Sequence, residues 1–311
     1  MGKRLAWRAC GWLALLLMCT GCAAETTAQL PEARQTLAAA ATQAPAPTAE
    51  PTATAAPTAE PTPTPVPTPT PSPTLEPVTD EMLDSGRFDA YFDDAVFVGD
   101  SITESLRNYC IAQQRDDEDF MGNAQFLAAV SMSVRMASSD SRTLLQYRGN
   151  AVSVTEGLLK MGAGQVFIML GVNDYAGKYP DATLAYFDTL IDAIQEKCEG
   201  IEIVIQSVTP VTKRFCQERQ ITIEEWNGFN VLLEQLCEEK GVQFLSFAEL
   251  LMDAEGYLAD DMTGDGMFHL TPAANAVWIR ALRQFAAEQY ALSGAYPPEP
   301  TDDMADAAPA A

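Results

Sequence analysis

The chain has 311 residues, 47% of them hydrophobic, enough for one large domain or two ordinary ones. Nineteen Lys and Arg stand against 43 Asp and Glu, and the formal charge of -24 repels phosphate backbones and anionic headgroups, so no nucleic-acid partner is expected. One His and seven Cys without paired CxxC spacing give too few ligands for a structural zinc site, so neither a metal nor a cofactor is expected.

Lys3, Arg4 and Arg8 precede an apolar run from Trp12 to Cys19, too short to span a bilayer but suited to a signal-peptide core, and residues 1–22 read as an export leader. Its end, Met18-Cys19-Thr20-Gly21-Cys22, resembles a bacterial lipobox, which makes Cys22 the expected lipidation site. The membrane is then touched only through that lipid, at the outer face of the cell membrane. Simple secretion, with cleavage near Ala24, is the alternative. Residues 23–79 read as a disordered linker: Ala23 to Val78 lacks Gly and aromatic residues, 12 prolines lie between Pro45 and Pro77, and Pro47–Thr52 recurs as Pro57–Thr62. As polyproline II, the 33 residues from Pro45 to Pro77 reach on the order of 100 Å. Residues 293–311, rich in Pro, Ala and Asp, read as a loose acidic tail.

Between these flanks, residues 80–292 alternate short apolar runs with helical periodicity, the pattern of an α/β domain. Runs at Ala95–Gly99, Gln125–Val130, Gln165–Leu170, Ile201–Ser207 and Val242–Phe247 predict five strands buried on both faces. Helices are predicted at Ser101–Gln113, Val154–Met161, Pro180–Lys197 and Ile223–Lys240, with a last one starting at Pro272. A doubly wound parallel sheet follows, with chemistry expected after the carboxyl ends of its strands.

Three such loops carry candidates. In Val98-Gly99-Asp100-Ser101-Ile102, a strand stops at Gly and Ser101 opens a helix, whose N-terminus stabilises an oxyanion formed beside the hydroxyl. A Ser there also serves as a plain helix cap. In Leu170-Gly171-Val172-Asn173-Asp174, Asn173 offers an amide donor, or alternatively an Asx turn. In Gly264-Asp265-Gly266-Met267-Phe268-His269, the only imidazole of the chain stands four residues after Asp265. Serine chemistry must use His269, with a carboxylate to fix its tautomer.

The blocks VFVGDSIT, IMLGVNDY and DGMFHLT, in this order, resemble the signature blocks of the SGNH/GDSL hydrolase superfamily, the likeness covering about Asp89 to Leu292. The resemblance implies a three-layer α/β/α sandwich with a flavodoxin-like, five-stranded parallel sheet. It also implies ester hydrolysis by Ser101, His269 and Asp265, and an oxyanion hole made of the Ser101 N–H, a second backbone N–H and the Asn173 side chain. Two positions depart from the family pattern. Asp265 stands four rather than three residues before His269, which leaves Asp260 and Asp261 as alternatives, or a dyad with the imidazole oriented by a backbone carbonyl. Ser131 stands where the family commonly has the Gly that donates the second N–H, with Ser133 as its rival.

Asp100 and Asp174 read as residues that hold their turns. Gln206 and Asn230 are candidate substrate-binding residues, Gln206 from the loop after the fourth strand and Asn230 from a covering helix that also carries Trp226 and Asn227. Cys110, Cys198, Cys216 and Cys237 allow two disulfides or four buried thiols. The expected activity is that of an exported serine esterase removing small acyl groups, acetyl above all, from carbohydrate such as cell-wall glycan. A lysophospholipase or thioesterase and a catalytically impaired surface-binding module are the alternatives.

Overall fold

The apolar runs pair into one parallel sheet whose central members, Ala95–Gly99 and Gln165–Met169, are buried at every position. The computed structural model describes residues 75–139 and 145–298; the leader, Cys22, nearly all of the linker and the tail from residue 299 lie outside the described residues. In chain order the elements are α1 (Asp80–Asp84), β1 (Ala95–Gly99), α2 (Ser101–Gln113), β2 (Gln125–Ala128), α3 (Val134–Ala137), the short antiparallel pair β3 (Gln146–Tyr147) and β4 (Asn150–Ala151), α4 (Val154–Met161), β5 (Gln165–Met169), α5 (Pro180–Lys197), β6 (Glu202–Gln206), α6 (Lys213–Arg219), α7 (Ile223–Lys240), β7 (Gln243–Leu245) and α8 (Pro272–Ser293).

The sheet order is β2-β1-β5-β6-β7, all parallel, which is the 2-1-3-4-5 flavodoxin-like order when only the sheet strands are numbered. Helix α5 packs with α3, α4 and α7, and α8 with α1 and α2, giving the two helical layers of the sandwich. Register aligns aromatic rings across the strands: Phe97 of β1 pairs with Phe126 of β2 and Phe167 of β5, and stacks on them at 5.2 and 4.9 Å between centroids. Phe92 packs on Phe97, and Phe285 of α8 packs edge-on against Phe167.

Four expected strands are shorter than the apolar runs that predict them: β2 stops at Ala128, β5 at Met169, β6 at Gln206 and β7 at Leu245. Beyond β2, Ala129–Met132 closes a turn through Met132 N–H to Ala129 C=O at 3.1 Å, which bends Val130 out of the ladder. Beyond β6 and β7, the Ser207 hydroxyl accepts from the Phe247 and Ala248 N–H groups, both at 3.0 Å, and ties the two strand ends together.

One buried ion pair anchors α8. Arg283 donates to both Asp89 oxygens, at 2.7 and 2.6 Å, and to the Leu83 carbonyl at 2.9 Å, while Asp89 also accepts from Met121 N–H. After α8 the chain is held as far as the structure describes it: Tyr296 meets Phe88 edge-on and the Pro297 carbonyl accepts from Arg87. Pro297 and Pro298 share a hollow of about 530 Å³ with Asp93, which precedes β1, and Asn123, which precedes β2. The described chain thus continues past residue 293, the expected start of the tail. Among the described residues, Cys110, Cys198, Cys216 and Cys237 are buried free thiols.

Candidate active site

The site forms where β1, β2 and β5 end. β1 must end in Gly: a Cβ on Gly99 would lie 1.9 Å from Thr103 Oγ1 and 2.8 Å from the Met169 carbonyl, so only glycine lets the first turn of α2 close over the strand. Asp100 then caps α2, its Oδ1 accepting from Ile102 N–H at 2.9 Å, and Ser101 becomes the first helical residue.

The loop before α8 brings His269 back over that helix start, with Ser101 Oγ and His269 Nε2 3.0 Å apart. On the far side of the ring, Nδ1 is 2.6 Å from Asp265 Oδ2. An ionised carboxylate only accepts, so Nδ1 carries the proton and Nε2 is left free to accept from the Ser101 hydroxyl. The extra residue between Asp265 and His269 is accommodated by a tight turn wound around one oxygen. Asp265 Oδ1 accepts from the N–H groups of Met267, Phe268 and His269 at 2.8, 3.0 and 3.2 Å, leaving Oδ2 aimed at the ring. Partial burial alone would raise the Asp265 carboxyl, but the bonds from His269 and the three N–H groups hold it down at about 2. Asp261 contributes its main-chain carbonyl, which accepts from Thr271 Oγ1, and the imidazole bond goes to Asp265.

Sequence reasoning missed what holds this turn. Thr212, the cap of α6, donates from N–H to the Met267 carbonyl and from Oγ1 to the Gly266 carbonyl. Phe268 lays its ring 4.3 Å from the imidazole centroid and meets Phe215 of α6 edge-on. The only local signal was a large apolar residue beside the lone His.

Ser131 sits third in the Ala129–Met132 turn with φ +62°, a place where type II turns favour Gly, and its side chain is exposed. Ser133 instead caps α3, its hydroxyl accepting from Met136 N–H. Asp174 reaches across to the same segment and accepts from the Val134 and Arg135 N–H groups at 2.8 and 3.2 Å. Burial raises its carboxyl despite those bonds. Asn173 Nδ2 donates to Asp100 Oδ2 at 2.9 Å and to the Met132 carbonyl at 3.0 Å, which stitches the three strand ends together. Gly171, at φ +126°, gives this loop its sharp exit from β5.

Gln206 and Asn230, expected to bind substrate, make bonds within the protein. Gln206 is buried and its Oε1 accepts from Trp278 Nε1 at 2.7 Å. Asn230 spends both ends of its amide on the Val208 backbone, accepting from N–H at 2.8 Å and donating to C=O at 3.0 Å. Trp226 and Asn227 are likewise turned to main-chain carbonyls, those of Thr209 and Gly256. Just past the end of β6 the backbone groups of Val208 and Thr209 have no strand partner, and Asn230 and Trp226 satisfy them.

The model of the GDSL-like lipase/acylhydrolase family matches residues 97–277, which takes in all three loops. The chain belongs to this family. Its solved structural neighbours include a GDSL-like lipase from Bacteroides thetaiotaomicron at 16% identity, covering 64% of this chain and 90% of that one with a TM-score of 0.49. An acetyl xylan esterase from Geobacillus stearothermophilus is 16% identical over 62% of this chain and 93% of that one, with a TM-score of 0.44. No curated protein matches in a sequence search.

Proposed function

We propose that this GDSL-like hydrolase is an exported serine esterase that removes small acyl groups, acetyl above all, from carbohydrate such as cell-wall glycan. The observation that carries the reading is the unbroken relay from Ser101 Oγ through His269 to Asp265, at 3.0 and 2.6 Å. Ser101 Oγ attacks the ester carbonyl while His269 Nε2 takes its proton. The oxyanion is received by the Ser101 N–H at the start of α2, the Ser131 N–H and the Asn173 amide, for which it competes with the Met132 carbonyl. His269 returns the proton to the departing alkoxide, and water, activated in the same way, releases the acid from Ser101. Asp265 stays ionised throughout and steadies the imidazolium.

The exported setting rests on the leader and on Cys22 as the anchor, and the glycan ester on that compartment. A nitrophenyl ester series with the purified domain tests the preference. Activity that peaks at acetyl supports the reading, and a maximum at long chains assigns the protein to lipid deacylation. Fluorophosphonate labelling that vanishes in Ser101→Ala is expected; a folded protein that stays unlabelled is a binding module.

A further inference from the structure

We propose that Asp100 is a positioning residue for hydrolysis, its buried carboxylate fixing which edge of the Asn173 amide faces the reacting ester. The inference rests on the ester hydrolysis proposed above. Asp100 has no exposed surface, and both of its oxygens are engaged, Oδ1 by Ile102 N–H and Oδ2 by Asn173 Nδ2, each at 2.9 Å. A carboxylate has no donor, so the edge of Asn173 turned towards it is the NH₂ edge. The Met132 carbonyl makes the same demand on the same nitrogen from the turn that carries Ser131. Asn173 Nδ2 is thereby pinned between the residue before Ser101 and the turn after β2, beside the start of α2.

Capping does not explain this arrangement, because Asn or Ser caps a helix as well as Asp does. Asp100 is moreover a costly group to bury. Desolvation pushes its carboxyl up to about 6 against the bonds from Ile102 and Asn173 and the opposing influence of His269, while Asp174 across the cleft adds to the rise. A position that needs acceptors on both oxygens accounts for both facts. An Asn there would keep the bond from Ile102 through its carbonyl, but would turn an NH₂ towards the NH₂ of Asn173, and one of the two amides would have to rotate away.

The test is a double-mutant cycle on acetyl ester hydrolysis with Asp100→Asn, Asn173→Ala and the pair, and Asp100→Ser as a second capping variant. Asp100→Asn is expected to lower kcat by roughly 10²–10³-fold, the scale of losing an oxyanion donor, with KM within a few-fold. It should cost nothing further in the Asn173→Ala background. Unchanged kcat in Asp100→Asn, or losses that multiply in the pair, overturns the proposal. The side-chain amide resonances of Asn173 give a readout independent of turnover. If they shift in Asp100→Asn or Asp100→Ser, positioning is supported even should the wild type prove inert to every acyl ester, an outcome that sinks the reaction alone. If they do not move in either variant, the positioning role is gone.

Discussion

Asp265 does two jobs with two oxygens, and substitutions separate them. Asp265→Asn keeps an acceptor for the three N–H groups of its turn but offers NH₂ to His269 Nδ1, forcing the tautomer in which Nε2 no longer accepts from Ser101. Activity should fall by up to about 10⁴-fold in a domain that melts normally; Asp265→Ala should lose activity and, in addition, order in the turn, read from amide exchange at residues 266–269. The two buried or bonded aspartates also pull stability in opposite directions with pH. Asp265, held at about 2 against an ordinary value of about 3.9, contributes stability present above about pH 4 and lost as pH falls towards 2. Asp100, raised to about 6, is penalised when ionised, a penalty complete above about pH 6 and relieved on acidification towards pH 4. Melting midpoints should therefore rise slightly from pH 7 to 5 and fall below 4, and Asp100→Asn should flatten the first part.

At the scale of elements, the turn after β2 carries local strain. Ser131 holds φ +62° at a cost that glycine avoids, so Ser131→Gly should raise stability by a few tenths to about 1 kcal/mol in denaturant titrations, the gain being trimmed by the extra freedom of the unfolded chain. If Ser131 serves through its N–H, activity should survive the change; a collapse of kcat assigns the work to the hydroxyl. This turn also marks where the sequence stopped being legible. Ser101 and Asn173 could be read because each follows a strand signal within a few residues, and His269 because the chain has one imidazole. Gln206 and Asn230 could not, since a polar residue at a strand end or on a helix reads the same whether it faces a ligand or bonds within the protein. The deciding partners lie 72 residues away for Gln206 and 22 for Asn230. Short pieces escaped for another reason: α3 has four residues, too few to show a helical period, and the N–H groups of Val134 and Arg135 are held by Asp174 from a distant loop, which no local pattern reveals.

For the molecule as a whole, Arg283 and Asp89 matter out of proportion to their number. Their side chains are 8% and 5% exposed, and the pair joins α8 to the segment before β1 and to the loop before β2. Arg283→Met leaves Asp89 buried without its cation and should cost about 3–5 kcal/mol, measured as a shift in the denaturant midpoint. The thiols give a second global probe. Burial pushes Cys110 and Cys237 up to about 12 and Cys216 to about 11, and Cys198 upward as well, so all four should resist a thiol reagent in the native state and react together on unfolding. Early reaction of one would expose a locally opening segment.

The hollow shared by Pro298, Asp93 and Asn123 has a practical consequence. It lies at the amino ends of β1 and β2, whereas Ser101 and His269 sit at the carboxyl ends, so a handle grafted just after Pro298 leaves from the side opposite the catalytic mouth. Immobilised on a bead or sensor surface by such a handle, the domain should turn over soluble esters as fast as it does free in solution.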